Sequence, residues 1–314
     1  MNRSIFAVTL LLSLCQAARG QTYTSLSDPS VANEQYNGTW TGALSSSGEI
    51  GGYWYSSGSQ SAFLYNGSTF TNVNDPSAWL NQTYVYGISG STIVGDYFDR
   101  SGDQHGYTYN GTTWTTLDDP ATINGTQVSG ILANGNIVGG YFDSSNHAQG
   151  FIYNGSTYTE LSAPGALDTY TSGANGDLIA GHFFTASSQP EGFVYNGSTW
   201  TILNDPLAVY GTFATDVYGN DVVGYYLDAQ ENAHGFLYNG VTYTALDDPL
   251  GANGTSPQAI YGNEVIGTYQ SSNGVTHIFI TTVPEPSTLC LLGISAVAFA
   301  AAARRRRQNR RSYW

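Results

Sequence analysis

The chain has 314 residues, of which 41% are hydrophobic and only 10% charged, and its formal net charge is −14. It contains no Lys, and eight of its nine Arg lie near the two ends, so Arg100 stands alone against 22 of the 23 acidic residues in the stretch 21–282. Phosphate-rich partners need clustered Lys or Arg, which excludes nucleic acid and anionic lipid surfaces as ligands of that stretch. Cations, neutral glycans and basic proteins stay open.

The first 20 residues, MNRSIFAVTLLLSLCQAARG, combine one early Arg, an apolar run from Ile5 to Leu14 and small residues at 17, 18 and 20. This is the pattern of a secretory signal, and cleavage after Ala17 or after Gly20 fits equally. Both Cys lie outside 21–282, at Cys15 and Cys290, so the exported part has no disulfide or thiol chemistry.

From residue 21 to 282 one unit recurs. Asn-Gly flanked by β-prone runs stands at Asn66, Asn110, Asn154, Asn196 and Asn239, spaced by 44, 44, 42 and 43 residues. Such a pair predicts a two-residue hairpin with positive φ at both positions, placing Phe193 opposite Trp200 in GFVYNGSTWTILNDP. Prolines follow the same rhythm at 29, 76, 120, 164, 206 and 249, five of them preceded by Asp. Each unit also carries a run such as Ile137 to Phe142 (IVGGYF), preceded by a fourth short run such as TQVSGI at 126–131.

Four strands in about 43 residues, six times over, predict an all-β fold, a six-bladed β-propeller with strands A to D running outward from the axis. The last C-like strand, HIFITT at 277–282, lacks a D strand, and TYTSL at 22–26 is a D strand without a C. The N-terminal strand is therefore expected to close the last blade, with Tyr23 opposite Phe279, and so to remove an open edge.

The C-terminal end reads VPEPSTLCLLGISAVAFAAAARRRRQNRRSYW. Its apolar run, Leu289 to Ala303, predicts a short transmembrane helix, with Arg304, Arg305, Arg306 and Arg307 as a cytoplasmic stop. Pro284, Glu285 and Pro286 ahead of such a helix and Arg cluster resemble the PEP-CTERM sorting tail of exported bacterial proteins. That resemblance implies an exosortase-type processing enzyme as partner, membrane anchoring and then the cell surface or extracellular space. The repeats, for example HGFLYNGVTYTALDDPLGANGT at 234–255, are similar to HAF-type extracellular repeats, which implies export and a repeat scaffold and gives no catalytic residues to carry over. The expected organisation is a signal peptide at 1–20, the repeat domain at 21–282 and the sorting tail at 283–314.

Antiparallel order places the D-to-A and B-to-C loops at one end of the blades, and the acids segregate there. Asp119, Asp205 and Asp248 belong to D-to-A loops, while Asp99, Asp143 and Asp228 end B strands. These six are the candidate metal residues, for weak Ca²⁺ binding by carboxylates and loop carbonyls. The plainer reading makes them turn and solubility residues, and no EF-hand loop or Gly-Gly-x-Gly-x-Asp repeat is present. Three of the five His, at 105, 234 and 277, share one blade position, which points to a repeated hydrogen bond rather than a metal centre.

No nucleophile elbow, zinc-protease helix or phosphate-binding loop occurs, so no catalytic residue and no resident cofactor is assigned. The expected function is a non-enzymatic surface or matrix protein whose acidic propeller binds a glycan or protein. Two alternatives stand beside it: a glycan-active enzyme using carboxylates at the channel mouth, and a structural matrix protein bridged by divalent cations.

Overall fold

Period-2 patterning with both faces apolar calls for sheets covered on both sides. The computed structural model has that form, and it describes residues 21–283 apart from 30, 32–36, 123 and 187–188. The expected signal peptide, Pro284, Glu285, Pro286, the transmembrane helix and Arg304 to Arg307 lie outside the described residues. Among the described residues no helix is long and apolar enough to cross a membrane.

The stretch Tyr23–Thr281 forms one compact unit. Its inner strands A are Gly38–Leu44, Thr83–Ser89, Thr126–Ile131, Asp168–Asn175, Thr212–Tyr218 and Thr255–Tyr261. Four of them open four-stranded antiparallel sheets in the order A-B-C-D. The first and last units instead share one eight-stranded sheet, because a single parallel bridge joins Gly38 to Thr276. Each inner strand packs beside the next, and Thr255–Tyr261 returns to Gly38–Leu44.

The N-terminal strand Tyr23–Leu26 pairs antiparallel with Thr276–Thr282. Its register is two residues from expectation, with Tyr23 facing Thr281 and Ser25 facing Phe279. The Tyr23 and Phe279 rings still meet edge to face at 5.6 Å.

The hairpins differ from expectation in the same way. Tyr195 pairs with Trp200, so the connection is Asn196 to Thr199 and not a two-residue turn. Only the glycine takes positive φ, at +88° for Gly197. The Asn acts through its side chain: Asn196 Oδ1 accepts the Ser198 and Thr199 amides at 3.1 and 2.8 Å. Asn66, Asn110, Asn154 and Asn239 do the same. A shift of two residues preserves which face a side chain occupies, so Phe193 and Trp200 still meet, diagonally, at 4.8 Å.

The core lies between consecutive sheets. Val138 and Leu161 of one sheet pack on Ile179 and Phe193 of the next, and Val94 and Leu117 pack on Val128 and Phe151. At the last-to-first junction Ala259 and Ile266 meet Leu44 and Phe63. One C-strand position, occupied by Phe63, Tyr107, Phe151, Phe193, Phe236 and Phe279, is fully buried in all six units. Each such ring removed from water contributes roughly 1.5–3 kcal/mol before entropy is counted.

Candidate functional site

The Asp-Pro loops use their acids to build the crossing from one sheet to the next. The amides of Asp28, Asp75, Asp119, Asp205 and Asp248 donate to the hydroxyls of Thr39, Thr83, Thr126, Thr212 and Thr255, and Ala163 donates likewise to Thr169. The carboxylates then close the turn. Oδ1 of Asp119, Asp205 and Asp248 accepts the amide two residues on, each at 2.8 Å. All three are nearly buried, and burial pushes the Asp205 and Asp248 acids up.

Asp99, Asp143 and Asp228 do similar work at the ends of B strands. Asp99 accepts the Ser101 and Asp103 amides, and Asp143 those of Ser145 and His147. Asp228 accepts from Gln230 and Asn232, and the Asn232 amide foremost holds its acid at about 2. The six candidate carboxylates are thus distributed over separate loops, each accepting at least one local amide, while Asp248 Oδ2 is buried without a partner. Among the described residues no group of three or more His, Cys, Asp or Glu is placed to hold a metal ion.

The repeated His forms a clasp. His234 Nδ1 lies 3.1 Å from Asp247 and its Nε2 3.2 Å from Asp228, while the ring stacks on Tyr226. His105 repeats this with Asp118, Asp99 and Tyr97. His277 keeps the stack, on Tyr269, but bonds Ser27. An imidazole facing a carboxylate on each nitrogen satisfies both only as the cation. Burial alone would lower the His234 pKa, but hydrogen bonds to Asp247 and Asp228 outweigh it and raise the value.

Stability from this clasp is full below the unfolded His pKa of about 6.5 and is lost as pH rises through the higher folded value. His234→Gln is therefore expected to cost about 0.5–1 kcal/mol near pH 6, a size set by solvent screening, and nothing near pH 9. Thermal melts of wild type and variant at the two pH values check this. An equal loss at both would refute it.

Two cavities of about 280 Å³ stand out among the described residues. One lies on the axis at the A-to-B turn end, and all six inner strands line it. Asp216 is its only lining carboxylate, and Asp216 Oδ2 accepts the Ile260 amide at 2.9 Å. Burial pushes its acid up to about 7. This mouth therefore lacks the carboxylate pair that hydrolysis would need. The second cavity is a cleft at the Asp-Pro end, lined by Gln189, Glu191, Asn204, Asp205 and Thr212 among others. Glu191 accepts from Asn204 Nδ2 at 3.1 Å.

A belt of cross-strand rings joins strands A and B near the same end. Trp40 stacks on Tyr53, Tyr170 on His182 and Phe213 on Tyr225, with centroids 5.2, 5.0 and 4.7 Å apart. Asp96 occupies the position held by Tyr53, Gly140, His182, Tyr225 and Thr268 in the other units. It is 1% exposed; Oδ2 accepts from Gln104 Nε2 at 2.6 Å, and Oδ1 has no partner. Burial pushes this acid up to about 7. Neither Asp96 nor Asp216 was among the sequence candidates. Their signal was a break in the repeat, an acid where sister units carry rings or small residues.

Comparison with solved structures shows the fold of β-propeller lectins. A mutant Aleuria aurantia lectin in complex with Fucα1-6GlcNAc aligns with a TM-score of 0.52 at 13% identity, covering 78% of this chain and 91% of that one. SapL1 lectin in complex with α-methyl fucoside aligns with a TM-score of 0.52 at 14% identity, covering 81% and 94%. A comparison with curated protein sequences returned no match. Residues 282–307 match the family model of the PEP-CTERM protein-sorting motif, so the C-terminal end of the chain carries that sorting signal.

Proposed function

We propose that this chain is an exported surface or extracellular protein that binds a glycan without turning it over. Its repeats are read as a six-bladed propeller of HAF type, closed by the N-terminal strand. A signal peptide at 1–20 directs export; the tail at 283–314 retains the protein at the membrane through its apolar helix and Arg stop until an exosortase-type enzyme processes it near Pro284 to Pro286. The sorting motif supports this itinerary.

The observation that carries the binding reading is the polar cleft at the Asp-Pro end. Its carboxylates and amides can accept and donate to sugar hydroxyls, and the absence of Lys disfavours anionic sugars. Both of its acids already hold loop or side-chain donors, Asp205 the Leu207 amide and Glu191 the Asn204 amide, which favours binding over hydrolysis. The lectins of similar fold were solved with fucosides, so fucosylated glycans are the first to test.

A glycan array probed with the full chain, with and without a Ca²⁺ chelator, is expected to retain neutral glycans in both conditions. Glu191→Gln should weaken that retention at least about tenfold, the scale of losing a charge-assisted hydrogen bond. No retention in either condition would sink the reading. Retention only with Ca²⁺ would favour the cation-bridged alternative.

A further inference from the structure

Large apolar side chains left in water are unevenly placed on this protein. Trp79 and Leu80 stand 46% and 60% exposed, Leu167 48%, Leu207 66%, Tyr210 45% and Leu250 60%, and all six lie in D-to-A loops at one end of the sheets. The opposite end, with the A-to-B and C-to-D turns, displays Val241 as its one exposed large hydrophobic among the described residues. The placement is not an accident of one slack loop. Three successive crossings, closed on Ala163, Asp205 and Asp248, and the earlier one closed on Asp75 each present at least one such residue within or directly after the turn. Leu80 is even held at φ 51°, a left-handed conformation that costs a leucine about 1 kcal/mol or more.

Charge is segregated to the same end. Asp99, Asp103, Asp118, Asp228, Glu231 and Asp247 sit in its loops, whereas the opposite end has Glu49, Asp177, Asp221 and Glu264. Arg100 is the single Lys or Arg among the described residues. An apolar crown set among carboxylates is complementary to a surface that is both apolar and positive. A second copy of this chain would bring acid against acid, and a phosphate-rich lipid surface would be repelled. Four of the six, Leu80, Leu167, Leu207 and Leu250, are aliphatic and offer a sugar neither a ring to stack on nor a hydrogen-bond partner.

We infer that the Asp-Pro end docks a cationic amphipathic polypeptide segment, its apolar side seated on the crown and its basic side on the surrounding carboxylates. This surface is separate in composition from the polar cleft beside Asp205, and it goes beyond glycan binding to a protein partner.

The test uses the full chain in phosphatidylcholine nanodiscs, with empty nanodiscs as the blank. The probe is a fluorescent synthetic 18-residue Leu/Arg peptide with helical amphipathic spacing, followed by anisotropy. Binding is expected, weakened at least tenfold by Leu80→Ser with Leu250→Ser and, independently, by Trp79→Ala with Leu207→Ser. Val241→Ser at the opposite end should change it less than twofold, and raised salt should weaken it. Melting temperatures of the variants confirm that the loops stay folded. Equal binding of a shuffled peptide of the same composition would show charge attraction alone and overturn the inference. So would crown variants that bind within twofold of wild type, or displacement of the peptide by array-positive glycans. Glycan-array retention unchanged in the Leu80→Ser, Leu250→Ser protein would show that the two surfaces act separately.

Discussion

Asp96→Asn is expected to stabilise the protein by about 2–4 kcal/mol at pH 8 and to leave its stability near pH 3 almost unchanged. The wild-type acid is 1% exposed, and burial pushes it up to about 7 from the 3.8 of an ordinary Asp. Below pH 3.8 the carboxyl is protonated in both folded and unfolded chains, so its burial carries no ionic penalty. Between about 4 and 7 the unfolded chain releases the proton while the folded chain keeps it, and stability falls by up to about 1.4 kcal/mol per pH unit. Above 7 both are ionised and the loss is constant. Asn has no proton to release and retains an oxygen for Gln104 Nε2. Its amide hydrogens at the position of the unpartnered Oδ1 lack a partner as the hydroxyl of the protonated acid does, so the two proteins match near pH 3. Denaturant unfolding at about pH 3, 5 and 8 reads the effect. If the two proteins showed parallel curves between pH 4 and 8, Asp96 would not be the source of the penalty. Tyr53, Tyr84, Tyr86 and Tyr107, pushed up first by burial and further by Asp96, stay neutral across this range.

What could be read in advance was whatever the repeat states six times. The four strands of each unit, the burial of the aromatic in strand C and the loop role of Asp-Pro all follow from periodicity and turn chemistry. The reason for the Asn in Asn-Gly was misassigned, because an acceptor side chain and a residue tolerant of positive φ have the same one-letter signature. The structure separates them: Asn196 caps the loop amides and Gly197 alone takes the left-handed angle. The candidate features lie where units differ from one another. Asp96, Asp216, the polar cleft beside Asp205 and the exposed Leu80 are departures from the consensus, and a consensus reading averages them away. The sequence candidates Asp99, Asp119, Asp143, Asp205, Asp228 and Asp248 were the opposite case. They recur because each loop needs an acceptor, and recurrence alone marked them.

Gly139→Ala should destabilise the protein by about 3 kcal/mol or more, whereas Gly140→Ala, one residue later in the same strand, should change stability by less than about 1 kcal/mol. In every unit strand A carries a bulge opposite strand B, between Val128 and Gly130 in this one. The bulge drives a strand A carbonyl, here that of Gln127, against the Gly139 Cα, while the buried Phe151 ring closes from strand C. A Cβ at 139 would run into that carbonyl and lie 2.5 Å from Phe151 Cζ. Neither obstacle is the free end of a flexible side chain, so relief requires moving the bulge or the ring that fills the core. At 140 a Cβ meets only the Gln149 carbonyl, at 3.2 Å, and the loss of backbone freedom in the unfolded chain offsets that contact. The same collision recurs at Gly52, Gly95, Gly181, Gly224 and Gly267, each against a strand A carbonyl and the strand C ring. One missing side chain per unit therefore lets bulge, ring and neighbouring sheet share the same space. Urea unfolding of the two variants decides the matter, and equal stabilities would mean that the bulge yields without cost.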